Sequence, residues 1–191
     1  IRGIIVLSGN DACAVIAEAL SPDGTEAGFA RYMTKRAAEL GMTNATFANS
    51  NGWPAAGHLM SMQDLGILTK HLIEDFPEYY PLFAERTFEF DGRAPSNTRN
   101  RNPLLSLGIG ADGLKTGHTQ EAGYGLVGSA QQADLRVLFS ITVLDSRPPR
   151  AAASDATHHW YVPQPVHKST VTGGVEFGPG VRLGRGDLCR V

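Results

Sequence analysis

Long apolar runs are absent from the sequence. The longest apolar stretches are residues 4–7 and 137–144, and the second of these contains Ser140 and Thr142. A helix that spans a bilayer needs roughly 20 predominantly apolar residues. The sequence therefore predicts no segment that crosses a membrane.

An excess of charge of either sign is also absent. Seventeen basic and nineteen acidic residues give a formal net charge of −2, and no run of like charge occurs. Nucleic-acid binding depends on a basic surface, so the sequence predicts no nucleic-acid partner. A length of 191 residues suits one domain, with or without an appendage, rather than two.

Cysteine is scarce, and no residue pattern is typical of a metal site. Cys13 and Cys189 form no C-x-x-C pair and no disulfide framework, so they do not indicate a redox compartment. Cys13 lies in an apolar helical run, which favours a small buried side chain. The six histidines, including His158 and His159, show no ligand spacing. We therefore predict no metal and no organic cofactor.

Helical signals dominate the first half of the chain. Residues 12–20 form an Ala-rich apolar run that ends at a Ser-Pro-Asp-Gly turn. Thr25 is a suitable N-cap for a second helix, which Gly41 ends. Ser61 begins a capping motif for a third helix, which Pro77 ends. The sequence thus predicts a helical region.

Strand signals dominate the second half. Residues 87–90 alternate in polarity and precede an Asp-Gly turn, and three strand-like runs follow between Gly113 and Leu144. Short connections favour antiparallel neighbours, so we predict a three-stranded meander. Residues 151–161 are compatible with a helix that covers this sheet.

Two short motifs contain groups suited to acyl transfer. They are Ser-Gly-Asn at residues 8–10 and Lys-Thr-Gly at residues 115–117. Acyl transfer by a serine enzyme needs a proton shuttle, a substrate clamp and an oxyanion site. The first motif supplies a hydroxyl and an amide on one loop. The second supplies an ammonium and a hydroxyl on a strand, where Gly117 leaves room for a peptide to lie alongside.

The order of the two motifs is more specific than either motif alone. Together they match two of the three elements found in penicillin-binding proteins and class A β-lactamases. The sequences around them, at residues 8–12, 41–47, 100–105 and 112–124, resemble the low-molecular-mass, serine-type D-alanyl-D-alanine carboxypeptidases. The resemblance covers about residues 4 to 150. It implies an α+β, β-lactamase/transpeptidase-like fold, with a helical region beside an antiparallel sheet.

The resemblance also implies an activity and three catalytic residues. Such enzymes remove the terminal D-alanine from peptidoglycan stem pentapeptides through an acyl-enzyme, and β-lactams inhibit them. Ser8 matches the serine that relays a proton, and Asn10 matches the amide that holds the substrate carbonyl. Lys115 matches the electrostatic residue near the shuttle.

Four further residues match substrate-binding positions of the same family. The hydroxyl of Thr116 matches the group that binds the terminal carboxylate, and Gly117 follows it in the motif. The backbone N–H of His118 matches one oxyanion donor. Arg150 falls where the family has a carboxylate-binding arginine, although its neighbours differ from the family pattern.

The family's Ser-x-x-Lys element, which carries the nucleophile and the general base, is not found in the sequence. The residues three positions before the four lysines are Tyr32, Ile67, Asp112 and Pro165. In the family this element precedes Ser-Gly-Asn, so we expect the nucleophile before Ile1 and an N-terminally truncated catalytic domain. Loss of the nucleophile costs a serine hydrolase roughly 10⁶ in turnover, so residues 1–191 alone are expected to be inactive.

The sequence bears on three alternative functions. A class A β-lactamase has a Glu-x-x-x-Asn element, which this sequence does not contain between its two motifs. A non-catalytic pseudoenzyme or peptidoglycan-binding fragment is compatible with the absence of Ser-x-x-Lys. Residues 108–113 fit G-x-G-x-x-G, but no strand is predicted before them and no helix after them, so nucleotide binding is not expected.

The sequence predicts two parts. Residues 1–155 form a partial transpeptidase-like catalytic domain, and residues 156–191 form a divergent tail that is rich in Pro and Gly and packs poorly. A frameshift and a genuine divergent terminus both remain open for the tail. The resemblance implies stem peptides ending in D-Ala-D-Ala and β-lactams as partners. It also implies a periplasmic or extracytoplasmic location, with membrane attachment only through an anchor that the sequence does not show.

Overall fold

The helical and sheet regions follow each other along the chain in the predicted order. The computed structural model describes residues 1–92, 94–133, 135–144, 174–176, 182–184 and 189–190. The helices are α1 (Arg2–Leu7), α2 (Asn10–Leu20), α3 (Glu26–Glu39) and α4 (Met62–Asp75), and 3-10 turns follow at Tyr80–Ala84 and Pro103–Ser106. None of the helices in these residues is long and apolar enough to cross a membrane.

Side-chain caps fix the starts of two helices. The Thr25 hydroxyl accepts a hydrogen bond from the Gly28 N–H at the start of α3, over 2.9 Å. The Ser61 hydroxyl accepts one from the Asp64 N–H at the start of α4, over 3.0 Å. Each cap satisfies a backbone donor that has no partner within its own helix. The predicted second and third helices are thus confirmed, with the predicted caps.

Helix α1 was not predicted. Its six residues are too few to show a helical period, and an isolated helix of this length is not stable in water. Packing stabilises it instead, because Ile5, Val6 and Leu7 are buried against the partly buried side chains Leu82, Phe83 and Phe88. A second apolar cluster, around Met42 and Met60, packs against α4.

The main sheet is the predicted three-stranded antiparallel meander. Its strands are β2 (Ala111–Thr119), β3 (Gly123–Gln132) and β4 (Leu135–Leu144), in the order β2-β3-β4. A Cβ atom at Gly128 of β3 would lie 2.3 Å from the Phe139 ring, so only glycine allows β4 to pack this closely. Leu104 and Leu126 are buried beneath the sheet and join it to the preceding 3-10 turn.

The strand structure predicted at residues 87–90 is present only at its start. Thr87 forms an isolated antiparallel bridge with Arg99, and the Phe88 N–H donates to the Thr98 carbonyl over 2.9 Å. The pairing does not continue to Phe90, which lacks the buried surroundings of Phe88. Phe88 packs on α1, whereas Phe90 is 63% exposed.

Short strands occur in the C-terminal part of the chain. Strand β5 (Gly174–Glu176) pairs with β6 (Arg182–Gly184), and β7 (Cys189–Arg190) pairs with β1 (Leu59–Met60). The compatible helix at residues 151–161 lies outside the described residues. The boundary near residue 155 and the poor packing of the tail therefore stay predictions.

Candidate active site

Ser8 lies at a sharp bend between α1 and α2. Its backbone adopts the left-handed conformation, with φ of 57° and ψ of 47°. The N–H groups of Ser8 and Gly9 both donate to the Gly3 carbonyl, which ends α1. A residue with a side chain adopts this conformation at a cost of roughly 1–2 kcal/mol. The bend places Ser8 at the end of one helix and immediately before the next.

Lys115, on β2, contacts Ser8 directly. Its Nζ donates hydrogen bonds to Ser8 Oγ over 2.5 Å and to the Thr116 carbonyl over 2.9 Å. The pKa of Lys115 is lowered to about 8, chiefly by burial and to a smaller extent by the positive charge of Arg101, while Cys13 acts in the opposite direction. A lysine with this pKa can gain or lose a proton near neutral pH, as a proton-relay group must.

The other predicted residues of the Ser-Gly-Asn and Lys-Thr-Gly motifs lie close to this contact. Asn10 is the first residue of α2 and is exposed. Thr116 is half-buried beside Lys115, whereas Gly117 and His118 are exposed on β2. A Cβ atom built at Gly117 would meet no atom within 4 Å, so open space adjoins the strand there.

His118 has a clear side-chain neighbour. It lies opposite Tyr124 of β3, and the centres of the two rings are 4.0 Å apart. The structure thus brings Ser8 and Lys115 into contact and places Thr116, Gly117 and His118 along the strand that follows. Arg150 lies outside the described residues.

Sequence reasoning missed two residues beside the Ser8–Lys115 contact. Arg101 Nη2 donates to the Leu7 carbonyl over 2.7 Å, immediately before Ser8. The neighbouring Asn102 donates from Nδ2 to the Gly113 carbonyl over 2.9 Å, two residues before Lys115. The available signal was the Asn-Arg-Asn triplet at residues 100–102, which contributed to the family resemblance without a role of its own.

Cys13 differs from its predicted environment. It was predicted to be buried in a core, but it is only half-buried and lies near enough to Lys115 for their charges to interact. Burial raises the pKa of the Cys13 thiol, and Lys115 opposes that shift. Among the described residues, no group of three or more His, Cys, Asp and Glu side chains is placed to hold a metal ion.

Sequence comparison identifies relatives over most of the chain. Residues 1–147 match the model of a family described as D-alanyl-D-alanine carboxypeptidase. The D-alanyl-D-alanine carboxypeptidase DacC of Escherichia coli is 42% identical over 139 residues, which are 72% of this chain and 33% of that protein. DacA of Haemophilus influenzae is 38% identical over 143 residues, or 74% of this chain and 35% of that protein. The chain spans about a third of the length of these curated relatives.

Structure comparison finds penicillin-binding proteins with a similar fold. Penicillin-binding protein 5 of Haemophilus influenzae superposes with a TM-score of 0.70 at 35% identity, over 83% of this chain and 45% of that chain. Penicillin-binding protein D2 of Listeria monocytogenes, in its ampicillin-bound form, superposes with a TM-score of 0.65 at 31% identity, over 82% of this chain and 62% of that chain. The α+β, transpeptidase-like fold expected from the sequence is confirmed.

Proposed function

We propose a function from one premise: this chain belongs to the D-alanyl-D-alanine carboxypeptidase family. The protein acts as a serine-type carboxypeptidase that removes the terminal D-alanine from peptidoglycan stem pentapeptides through an acyl-enzyme. The observation that carries this proposal is the 2.5 Å contact between Lys115 Nζ and Ser8 Oγ, beside the open space next to Gly117.

Ser8 and Lys115 have the role of a proton relay. When the peptide C–N bond breaks, the nitrogen of the departing D-alanine must gain a proton. Ser8 Oγ donates that proton and takes one in turn from Lys115 Nζ, which is already hydrogen-bonded to it. These 191 residues contain no serine followed three positions later by lysine, so the nucleophile is not assigned to any residue in them.

The residues after Lys115 have the role of binding the peptide. The substrate lies along β2, where glycine at position 117 keeps the strand accessible. Thr116 binds the terminal carboxylate, and the His118 N–H holds the carbonyl oxygen as negative charge develops on it. Asn10 holds the substrate carbonyl from the other side of the bend, and Arg150 is a further carboxylate ligand. The positive charges of Lys115 and Arg101 favour an anionic peptide end.

The same geometry suits β-lactams, which mimic the D-Ala-D-Ala end of the peptide. The structure of the Listeria monocytogenes relative was determined in ampicillin-bound and cefotaxime-bound forms. We extend β-lactam binding to this protein as part of the proposal. Its substrate places it at the cell wall, on the outer side of the cytoplasmic membrane.

The decisive experiment supplies the Ser-x-x-Lys element that these residues do not contain. Residues 1–147 replace the matching segment of Escherichia coli DacC, and release of D-alanine from a D-Ala-D-Ala-terminated peptide is measured. We expect the chimera to release D-alanine. We expect Lys115→Ala in the same chimera to abolish release, because it removes the proton donor and its charge. A folded chimera that releases no D-alanine contradicts the proposed function.

Labelling with a fluorescent penicillin separates the two alternatives. Residues 1–191 alone are expected to form no adduct that survives denaturation, and a labelled band contradicts that expectation. The chimera is expected to form a persistent adduct. Rapid loss of its label favours a β-lactamase, and peptide binding without any adduct favours a non-catalytic peptidoglycan-binding protein.

A further inference from the structure

Hydrogen bonds from three side chains hold β2 at Asp112 and Gly113, two to three residues before Lys115. The Asp112 carboxylate accepts hydrogen bonds from Tyr80 Oη over 3.1 Å and from Arg136 Nη1 over 2.7 Å. The next residue, Gly113, has its carbonyl bound by Asn102 Nδ2 over 2.9 Å. The strand is therefore fixed at two consecutive residues, by partners that come from three other parts of the chain.

Arg136 connects Asp112 to the rest of the sheet. From β4 it donates through Nη1 to Ser129 Oγ over 2.6 Å and through Nη2 to Gln131 Oε1 over 2.5 Å, both on β3. Ser129 is completely buried. The guanidinium also lies 5.4 Å from the centre of the Tyr80 ring. One side chain thus links all three strands of the sheet and the 3-10 turn.

The contact between β2 and this turn leaves no spare room. A Cβ atom at Gly113 would lie 2.8 Å from Tyr80 Oη, which is closer than real Cβ contacts. Asn102 also follows Arg101, whose guanidinium holds the Leu7 carbonyl just before Ser8. The segment at residues 101–102 therefore touches both the Ser8 bend and β2.

Burial distinguishes the Arg136–Asp112 pair from the surface ion pairs. Its side chains are 18% and 28% exposed, against 69% and 45% for Arg31–Asp23. An ion pair with this degree of burial loses much of its attraction to desolvation, so it adds little net stability. Such a pair can instead favour one arrangement of the two elements that it connects. The Arg136–Asp112 pair connects β4 to β2, the strand that carries Lys115.

We infer that Asp112, Arg136 and Asn102 are positioning residues, which fix β2 so that Lys115 Nζ stays at hydrogen-bonding distance from Ser8 Oγ. We call these three residues the β2 clamp. The catalytic meaning of the clamp rests on the proposed function. The geometric claim does not, because it concerns a contact that exists without substrate.

The test is an NMR titration of Lys115 in the full chain, produced with lysine labelled at Cε and Nζ. The sequence has only four lysines, and a Lys115→Arg variant identifies the signal of interest. In the unmodified protein the signal should titrate near pH 8. If the clamp is released, Lys115 becomes more solvated and its titration midpoint should rise by about one unit.

Two variants with opposite charge changes separate positioning from direct electrostatics. Asp112→Asn removes a negative charge, which by itself lowers the midpoint of a nearby lysine, whereas release of the clamp raises it. Arg136→Met removes a positive charge. We expect the titration midpoint of Lys115 to rise in both variants. It should rise less in Arg136→Lys, which keeps a cation but lacks the forked guanidinium.

Asp64→Asn is the matched control for lost stability. Asp64 is buried in α4 and accepts a hydrogen bond from the Asn44 N–H over 2.8 Å, so this bond lies within the helical region. The Asp64→Asn substitution should lower the melting temperature without changing the titration midpoint of Lys115.

Should Asp112→Asn fail to fold, Asn102→Ala tests the clamp from the Gly113 side without any charge change. A folded Asp112→Asn or Asn102→Ala variant with an unchanged or lowered midpoint overturns the inference. No outcome depends on peptide turnover, so the clamp and the proposed function can fail separately.

Discussion

Lys115 Nζ and Ser8 Oγ lie 2.5 Å apart, although 107 positions separate the two residues in the sequence. One residue lies at a bend between two helices and the other on an outer strand of the described sheet. Neither element contains both groups, so the pair exists only when the helical region and the sheet have docked. The protonation of Lys115 should therefore report on folding.

The lowered pKa of Lys115 predicts that stability depends on pH. The pKa is about 8 in the folded chain, against 10.5 for a free lysine, so the unfolded chain binds this proton more tightly. The free energy of unfolding should therefore rise as the pH increases from about 8 to about 10.5, by up to about 3 kcal/mol. Urea unfolding of the natural protein and of Lys115→Met measures this pH dependence. The free energy of unfolding of the natural protein should increase relative to that of Lys115→Met as the pH rises. Parallel pH dependences in the two proteins would contradict the prediction.

Arg101 should be responsible for the smaller part of the pKa shift at Lys115. Burial is the larger cause, so Arg101→Met should raise the pKa of Lys115 but leave it below the ordinary value for lysine. The NMR titration described above measures this change. Arg31→Met is a suitable control, because Arg31 pairs with Asp23 and is largely exposed. A return to the ordinary lysine value in Arg101→Met would mean that charge, rather than burial, dominates.

The left-handed backbone at Ser8 predicts an unusual order of stability among substitutions. Ser8→Gly should be more stable than Ser8→Ala by about 1 kcal/mol, because glycine adopts a positive φ without steric cost. Chemical denaturation of the two variants tests this. Both should lose proton-relay activity in the chimera. Equal stabilities would show that the bend is not strained.

The backbone N–H of His118 should matter more than its ring. His118→Ala loses the contact with Tyr124 but keeps the proposed oxyanion donor. His118→Pro deletes the donor and should cost roughly 10²-fold or more in turnover. D-alanine release by the two chimera variants measures the difference. Similar losses in both variants would point to the imidazole ring.

Local signals were sufficient for three of the four helices and for the meander. Thr25 and Ser61 each satisfy a helix terminus through atoms only three residues away, so the sequence alone predicts these caps. Alternation predicted more strand at residues 87–90 than forms, because Phe88 packs on α1 whereas Phe90 is largely exposed. That difference depends on tertiary packing, which a pattern of alternating polarity does not contain.

The candidate site divides in the same way. Ser8 and Lys115 belong to motifs, so the sequence alone marks them as candidates. Arg101 and Asn102, in contrast, donate hydrogen bonds to backbone carbonyls, those of Leu7 and Gly113 respectively. Every residue has a carbonyl, so the sequence gives no sign of which carbonyl a side chain will reach.

The position of Lys115 on an outer strand has a consequence for association between molecules. Strands at the margin of a sheet tend to join those of neighbouring molecules, and natural proteins counter this with charged side chains that pairing would bury. A second β2 that paired near Lys115 would bring two ammonium groups close together, although burial already disfavours the charge of each. A short peptide that ends in a carboxylate carries the complementary charge. A strand with open space beside Gly117 is in this way protected against self-assembly.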